Sequence, residues 1–386
     1  MFGLKLFLVK SFAIQSATAI AGILTVPLIV RLSGSDIFTN YLYYYSLAMI
    51  LVLFVAGLSL NLSSIFEKKR KIALNLYRWS SLVLLVLSVL LFSMGLDYYL
   101  LPIISLTFIT SESARGVAIS KDNFLLYQKI NFFSKLTLII VLYALSYELF
   151  AGYHISEHQI TFLLAGPSVI LFFIFLKNEM ISEVKLYFPR DYYALNGKLT
   201  ISRFISGSQE HIVKIATINV FSSDSVAIYE FFIRICKQSK AVIDNVVSFF
   251  VRSFEKKKFF KLRYLLYTQF LFSLIFYIFT LLVGEFLIKN LLFPFIDIAI
   301  LNALPLLFFG YMALLSTTVL LHFNVSESIF SSILQLAIVR LSLNLIMIIF
   351  LVYLDLSLFN LILMSSSIML IIGWLAFRHL MSAFKL

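Results

Sequence analysis

The chain has 386 residues, of which 61% are hydrophobic and 13% are charged, and its 31 Lys and Arg outnumber its 19 Asp and Glu. Soluble domains carry about 25% charged residues, and their cores stop growing at about 250–300 residues, so this composition excludes a soluble enzyme. A single Cys also excludes a disulfide framework and cysteine-based metal clusters. The sequence therefore predicts an integral membrane protein, in which basic residues kept on the cytoplasmic side explain the net charge of +12 without nucleic acid.

Apolar windows of about 20 residues, the length of helix that crosses the hydrocarbon of a bilayer, recur along the whole chain. In the first half, we place spans at 11–32, 38–60, 79–96, 98–118, 130–149 and 159–177. In the second half, they fall at 200–221, 226–248, 264–288, 297–320, 327–352 and 357–378. Twelve helical spans predict an all-α integral membrane fold whose two termini lie on the same side.

The distribution of Lys and Arg orients these spans, because basic residues accumulate on the cytoplasmic side of a membrane protein. With the N-terminus in the cytoplasm, the inner segments and inner span ends hold every basic residue except Arg31, Lys214 and Lys289. This asymmetry predicts that the N- and C-termini are both cytoplasmic and that the outer loops carry almost no positive charge.

A short internal repeat follows the first and the seventh predicted spans. Ser35-Asp36 and Ser223-Asp224 are each followed by a Tyr five residues after the Asp, Tyr41 and Tyr229. Both copies lie at the same outer turn of a six-plus-six topology, which predicts two parallel halves, and transporters built in this way bind substrate between the halves. The predicted division is an N-terminal six-helix bundle at 1–177, a cytoplasmic linker at 178–199 and a C-terminal six-helix bundle at 200–386.

These segments also carry a family resemblance. The stretch from Pro27 to Gly34, with Phe38 and Tyr41, is similar to the first-span signature of the polysaccharide transporters in the multidrug/oligosaccharidyl-lipid/polysaccharide exporter superfamily. The stretch at 214–256 resembles the seventh and eighth spans of that family, and the layout of the whole chain looks like a Wzx-type O-antigen flippase. The resemblance implies a MATE-like, V-shaped fold of two six-helix bundles whose cavity carries a lipid-linked oligosaccharide outward.

The sequence departs from the family pattern at three positions. Thr39 and Ala227 stand where a Gly is expected two residues before each repeat Tyr. Val213 stands where many relatives place an Asp beside the basic residue. This sequence therefore has no carboxylate at the position to which the resemblance would assign an ion-coupling role.

Two consecutive predicted spans carry ionisable side chains, which hydrocarbon does not tolerate without a partner or water. At about 100° per residue, those of span seven fall within about 40° and those of span eight within about 80°, so each helix bears one polar stripe. The residues of span seven are Arg203, Glu210 and Lys214, and those of span eight are Glu230, Arg234, Lys237 and Asp244.

Two explanations of these stripes stay open. Lys214 and Arg234 are each ten residues from the outer turn at Asp224, which puts both about 15 Å deep. There they can donate charge-assisted hydrogen bonds to the pyrophosphate of a polyprenyl-linked sugar. Alternatively, each cation pairs with the carboxylate four residues before it, Glu210 or Glu230, and the charges neutralise each other inside the bundle.

The predicted substrate-binding set combines these cations with others in spans five and eleven. It consists of Lys214, Arg234, Lys237, Arg203, Arg340, Lys129 and Lys135. The proton affinity of a carboxylate or an imidazole depends on nearby cations. The candidates for ion coupling are Glu210, His211, Glu230 and Asp244.

The sequence predicts no metal site and no cofactor. His154 and His158 stand four residues apart on a predicted outer loop, but a third ligand is not visible beside them. Coupling of transport to a H+ or Na+ gradient stays open, because the sequence does not identify the source of energy.

The hypothesis from the sequence and the resemblance is a flippase in the bacterial inner membrane. It moves undecaprenyl-pyrophosphate-linked oligosaccharide repeat units from the cytoplasmic to the periplasmic leaflet, by alternating access through a basic central cavity, for O-antigen or capsule biosynthesis. Its partners are then the lipid-linked oligosaccharide, membrane lipid, and the polymerase and chain-length regulator of the same pathway.

Two alternatives stay open. A cation-coupled drug or metabolite exporter of the same superfamily needs a carboxylate in the first half, and spans one to six show no convincing mid-span acid. A membrane polysaccharide polymerase or glycosyltransferase needs a sizeable loop with catalytic residues, and no predicted loop is longer than the linker at 178–199. We therefore predict that the protein is not an enzyme.

Overall fold

The computed structural model describes most of the chain, and every described segment longer than a short turn is helical. The described residues are 2–55, 59–121, 123–145, 155–181, 190–254, 274, 278, 298–314 and 327–383, and at some of them only the backbone is described. Within these ranges the chain forms no β-strand. The all-α membrane fold is thereby confirmed for this part of the sequence.

The first half of the chain forms long helices joined by short turns. They are α1 (Phe2–Ser33), α2 (Ser35–Val55), α3 (Ser59–Ser93), α4 (Leu100–Ser120), α5 (Phe124–Leu145), α6 (Glu157–Leu171) and α7 (Lys177–Ile181). A single turn of 3₁₀-helix at Asp97–Tyr99 precedes α4, and a π-helical turn at Phe172–Leu176 joins α6 to α7. Gly34, with φ at 81°, allows the tight turn between α1 and α2, because only glycine adopts this left-handed conformation without strain.

The second half begins with two of the longest helices. Its elements are α8 (Arg190–Val220), α9 (Ser223–Phe254), α10 (Ile298–Ala313), α11 (Glu327–Tyr353) and α12 (Leu358–Ala383). Helix α8 begins inside the predicted linker, and α3 begins well before the predicted third span. Both helices continue beyond the apolar window, because polar residues outside the hydrocarbon also form helix.

A helix occurs at eleven of the twelve predicted spans. The predicted ninth span at 264–288 lies outside the described residues, except for Leu274 and Ile278, so the count of twelve stays a prediction. Six described helical segments are long and apolar enough to cross a membrane: Lys10–Ser33, Ala73–Ser93, Phe124–Leu145, Glu157–Glu179, Ile333–Tyr353 and Leu358–His379.

Large apolar side chains cover outward faces of these helices. On α5, Phe133 is 60% exposed and Ile140 is 59% exposed. Exposure of such an apolar surface to water is unfavourable, whereas the hydrocarbon of a bilayer accommodates it without cost. The protein is accordingly a multi-pass membrane protein.

The helices group into two compact units. The first unit contains Leu28–Ile218, and the second contains Met1–Pro27 together with Asn219–Leu386. Each unit has its own interior, which is described separately below. The division into bundles at 1–177 and 200–386 stays a prediction.

Helices α2, α3 and α4 pack closely in the first unit, and hydroxyl groups connect them. Ser105 Oγ on α4 donates a hydrogen bond of 3.0 Å to the carbonyl oxygen of Ala48 on α2. The hydroxyls of Tyr77 on α3 and Thr110 on α4 lie 3.3 Å apart in the interior. Side chains such as Leu76 fill the apolar core around these contacts.

Helices α10 and α12 approach closely in the second unit, because small residues face each other there. A Cβ added to Gly373 on α12 would lie 2.5 Å from the carbonyl oxygen of Ala313 on α10. A Cβ added to Gly310 on α10 would lie 3.1 Å from the backbone of Ser366 on α12. Small residues allow such approaches in membrane helices, where dispersion contacts replace the hydrophobic effect between helices.

Candidate functional site

The polar stripe of α9 contains an ion pair in the interior of the second unit. Arg234 Nε donates to Glu230 Oε1 at 3.2 Å, one helical turn away, and the two side chains are 19% and 5% exposed. Arg234 Nη1 also donates to Thr25 Oγ1 on α1 at 3.2 Å. This geometry is the i,i+4 pairing of the alternative explanation.

A second cation of α9 lies close to the cation of α11. Lys237 follows Glu230 by two turns on the same face of α9, and the positive charge of Arg340 disfavours the positive charge of Lys237. Arg340 also has an electrostatic interaction with Tyr311 on α10. Both cations are half-buried. We call Glu230, Arg234, Lys237, Tyr311 and Arg340 the Arg340 cluster; all five belong to the second unit.

Arg340 has an unsatisfied donor at the centre of this cluster. Its Nε is buried and has no hydrogen-bond partner in the described part of the chain. Tyr311 beside it is 5% exposed. A buried charged donor without an acceptor is unfavourable, so this position suits an incoming acceptor.

Lys214 and His211 on α8 pack against Tyr45 on α2 in the first unit. Lys214 is 3% exposed, and its Nζ lies 5.5 Å from the centroid of the Tyr45 ring, within the range of a cation–π contact. The His211 ring meets the same tyrosine edge-on, with centroids 6.1 Å apart. Gly207 on α8 helps α8 and α2 to approach, since a Cβ there would lie 3.0 Å from the Leu53 side chain of α2.

The other predicted site residues lie elsewhere or outside the described side chains. Glu210 is half-buried on α8, one turn before Lys214. On α5 of the first unit, Lys129 is exposed and Lys135 is half-buried. The side chains of Arg203 and Asp244 are outside the described part of the structure. Their assignment to the site stays a prediction.

A half-buried acid of the first half was not among the predicted site residues. Glu112 lies on α4, its carboxylate is 3.9 Å from Arg115 Nη1, and its side chain is 16% exposed. Its Oε2 is buried without a hydrogen-bond partner among the described residues. Glu112 lies six residues before the predicted inner end of span four, so the expectation that spans one to six lack a convincing mid-span acid stays a prediction. The available signal was an acid followed three residues later by an Arg, Glu112 and Arg115, within a predicted span.

Another missed carboxylate joins three segments of the first unit. Glu179 on α7 accepts from Lys121 Nζ at 2.7 Å, and its carbonyl oxygen accepts from Arg78 Nη2 at 2.9 Å. Glu179 is 7% exposed. These contacts fix the end of α7 to α3 and to the residue after α4, at the predicted cytoplasmic end of these helices.

His158, one of the two outer histidines, packs on an aromatic ring. His158 stacks on Tyr99 with ring centroids 5.7 Å apart, and the Tyr99 hydroxyl lies 2.9 Å from His158 Nδ1. His154 lies outside the described residues. Within the described residues, no group of three or more His, Cys, Asp or Glu is arranged to hold a metal ion.

An apolar pocket in the first unit does not coincide with any of the charged groups. Its volume is about 380 Å³, and its lining residues are Leu47, Ile50, Leu51, Leu87, Leu91, Leu101, Pro102 and Phe204. A pocket without polar lining cannot hold a charged headgroup.

Comparison with known proteins gives similarity of fold. No protein-family model matches the chain, and no curated protein matches its sequence. Among solved structures, an inward-facing multidrug resistance MATE family transporter of the MOP superfamily is 15% identical with a TM-score of 0.54, covering 97% of this chain and 95% of its own. An outward-facing structure of such a transporter is 16% identical with a TM-score of 0.56, covering 98% and 96%.

A third similar structure comes from Pyrococcus furiosus. It is a MOP superfamily transporter described as having a binding pocket of reverse polarity that suggests a different function. It is 14% identical to this chain, with a TM-score of 0.53, and the match covers 98% of this chain and 94% of its own. The described fold is thus the fold of MATE transporters over nearly the full length.

Proposed function

We propose that this protein is a transporter that flips undecaprenyl-pyrophosphate-linked oligosaccharide repeat units from the cytoplasmic to the periplasmic leaflet. The observation that carries the proposal is the placement of Arg234, Lys237 and Arg340 on the helices of the second unit, where Glu230 engages Arg234 at 3.2 Å. Cations within a membrane bundle are costly unless carboxylates, backbone carbonyls, water or a bound anion compensate them. An anionic cargo is a ligand that these cations can bind.

The fold supports the transport mechanism. Similar structures of MATE transporters have been solved in inward-facing and in outward-facing conformations. Alternating access of this kind exposes the same binding residues in turn to the two sides of the membrane. In our proposal the anionic headgroup enters from the cytoplasm and the polyprenyl chain stays in lipid.

The binding residues of the proposed flippase are basic. They are Lys214, Arg234, Lys237, Arg203, Arg340, Lys129 and Lys135, with ion coupling assigned to Glu210, His211, Glu230 and Asp244. The neighbour from Pyrococcus furiosus, with its pocket of reverse polarity, supports the idea that this fold accommodates cargoes of different charge. We place the protein in a bacterial inner membrane, with cytoplasmic termini, beside the polymerase and chain-length regulator of the pathway.

Deletion of the gene tests the proposed function. Lipid-linked repeat units are expected to be synthesised as before and to accumulate on the cytoplasmic leaflet, while surface polymer is lost. The measurement is the fraction of lipid-linked oligosaccharide that a periplasmic glycosidase can reach. Normal surface polymer in a deletion strain without a second transporter would contradict the proposal.

A cation-coupled exporter is the second candidate function. Glu112 and the multidrug transporters among the similar structures favour it. A coupling carboxylate in the first unit would bind H+ or Na+ and release it as the cargo is exchanged. In that case Glu112→Gln should abolish drug resistance conferred by overexpression, whereas the proposed flippase confers no drug resistance to lose.

A further inference from the structure

Aromatic rings from four segments of the first unit meet at its predicted outer end. Tyr98 and Tyr99 form part of the 3₁₀ turn before α4. Tyr98 meets Tyr44 of α2 edge-on, with ring centroids 6.1 Å apart. Tyr99 meets Phe92 of α3 edge-on at 5.3 Å and stacks on His158 of α6 at 5.7 Å. We call these five residues the outer aromatic cluster, and all of them belong to the first unit.

Hydrogen bonds hold the segments of this cluster in place. The Tyr99 hydroxyl lies 2.9 Å from His158 Nδ1, and the Tyr99 carbonyl oxygen accepts from Ser88 Oγ at 3.4 Å. A capping box fixes the first turn of α6, where Ser156 N donates to Gln159 Oε1 at 2.9 Å and Gln159 N donates to Ser156 Oγ at 3.4 Å. A surface that is ordered before binding loses little conformational entropy when a ligand binds.

Two rings of the cluster remain largely accessible. Tyr98 is 47% exposed and Phe92 is 67% exposed. A tyrosine combines an apolar ring with a hydroxyl group that donates and accepts hydrogen bonds. Aromatic residues also gather at membrane interfaces without any ligand, so the rings by themselves do not identify a binding surface.

Two carboxylates lie beside the rings and distinguish this surface from an ordinary interface belt. Asp97 immediately precedes Tyr98 and is exposed, and Glu157 immediately precedes His158 and is half-buried. Both acids have an electrostatic interaction with Tyr44. Neither takes part in the ion pairs found within the described part of the chain. Carboxylates therefore remain able to accept hydrogen bonds from a ligand.

This combination of groups fits a neutral sugar better than the other ligands of a membrane surface. The C–H groups of a sugar pack on an aromatic face, while its neighbouring hydroxyls donate to a carboxylate and accept from a phenol. A phosphate is disfavoured because the nearest charges are negative. An organic cation suits the rings and the acids, but it cannot accept a hydrogen bond from the hydroxyls of Tyr44 and Tyr98.

We infer that the outer aromatic cluster, together with Asp97 and Glu157, binds neutral sugar rings of the transported repeat unit at the predicted outer side of the first unit. This inference rests on the proposed function, because the lipid-linked cargo is the source of the sugars. It differs from the basic headgroup site in its place and in its chemistry, since it recognises the sugars and not the diphosphate.

Binding of defined probes to the purified full-length protein in detergent tests this inference. The sugar probe is the free oligosaccharide released by mild acid from the lipid-linked pool of the producing strain, and the cation probe is tetraphenylphosphonium. The variants are Tyr98→Ala, Tyr98→Phe and Asp97→Asn. The matched control is Tyr353→Ala, since Tyr353 is an exposed tyrosine at the predicted outer end of α11 in the second unit. Titration followed by NMR saturation transfer gives the affinity of each probe.

We expect the wild type and the Tyr353→Ala variant to bind the oligosaccharide with equal affinity. Tyr98→Ala and Asp97→Asn should each bind it about tenfold more weakly, because one removes the ring face and the other removes a charged acceptor. Tyr98→Phe keeps the ring and should retain most of the affinity. Tetraphenylphosphonium should not compete with the oligosaccharide.

No binding of the oligosaccharide, or equal affinity in the wild type, Tyr98→Ala and Asp97→Asn, overturns the inference. An equal loss in Tyr353→Ala also overturns it and assigns the rings to the membrane interface. Competition by tetraphenylphosphonium that depends on Tyr98 overturns it in favour of an organic cation. If Tyr98→Ala does not accumulate, Asp97→Asn carries the comparison, because Asp97 is exposed.

Failure here is distinguishable from failure of the proposed function. A deletion strain that traps lipid-linked units supports the flippase even when the purified protein does not bind free oligosaccharide through this cluster. Normal surface polymer in the deletion strain contradicts the flippase, whereas the binding measurement reports on the cluster alone.

Discussion

The contact between Glu230 and Arg234 shows how a charged residue is held inside this membrane protein. The pair lies four residues apart on α9 and meets at 3.2 Å, while Thr25 supplies a further acceptor to the guanidinium. Breaking a buried ion pair on one side leaves the other charge unsatisfied, whereas removing both charges is often tolerated. Stability should therefore depend on the pair more than on either residue.

The Glu230→Gln variant should have a free energy of unfolding about 2–3 kcal/mol lower than that of the wild type. This loss is somewhat smaller than the loss for a fully buried ion pair, because Arg234 keeps partial access to solvent. The double variant Glu230→Gln/Arg234→Gln should recover most of this loss. Thermal unfolding in detergent, arranged as a double-mutant cycle, gives the coupling energy. Additive effects of the two substitutions would show that the pair does not stabilise the fold.

Export assays of single substitutions test the role of Lys214. Lys214→Ala should lose export of lipid-linked units while the protein still inserts at normal abundance. Arg234→Ala should also lose export, but at lower abundance, because it breaks the ion pair with Glu230. Tyr45→Phe should keep export, because the ring that contacts the Lys214 ammonium is preserved. Surface polymer and membrane abundance are the two measurements. Export unchanged in the Lys214→Ala/Arg234→Ala double variant would assign both cations to structure alone.

At the scale of elements, close helix packing in the second unit depends on the absence of a side chain at Gly373. Because a Cβ there would lie 2.5 Å from the Ala313 carbonyl oxygen, α12 must move away from α10 to accept any larger residue. Gly166 on α6 has no atom within 4 Å of its added Cβ. The two glycines thus differ in environment though both lie within helices.

Gly373→Ala should lower the stability of the protein by about 1–3 kcal/mol, the usual cost of overpacking. Gly166→Ala is the matched control and should be neutral or stabilising by up to about 1 kcal/mol, since alanine favours helix over glycine. The midpoint of thermal unfolding in detergent measures both. Equal midpoints for the two variants would show that α10 and α12 are not packed as tightly as described.

The sequence predicted the helices where they cross the hydrocarbon, because a crossing segment must be long and apolar. Apolar windows located eleven helices, but they missed the start of α8 at Arg190 and of α3 at Ser59 because helices continue into polar surroundings. The Glu230–Arg234 pair was predictable because its spacing is local. The contact of Lys214 with Tyr45 was not, because packing between distant helices determines it.

At the scale of the whole molecule, positive charge serves two separate purposes. Most of the 31 Lys and Arg lie at the predicted cytoplasmic ends of the helices, where they set orientation. A few lie in the interior, where only an anion, an acid or an aromatic ring can accommodate them. The interior group, rather than the net charge of +12 as a whole, is the basis for the hypothesis that the cargo is anionic.

Lipid flipping in proteoliposomes tests the central claim most directly. The purified protein is reconstituted with a fluorescent sugar on a polyprenyl diphosphate, and a membrane-impermeant quencher reports how fast the lipid leaves the outer leaflet. We predict a rate well above that of protein-free liposomes, reduced at least about tenfold in Arg340→Gln and unchanged in Arg378→Gln, which replaces an exposed arginine on α12. A wild-type rate equal to that of protein-free liposomes would contradict the account.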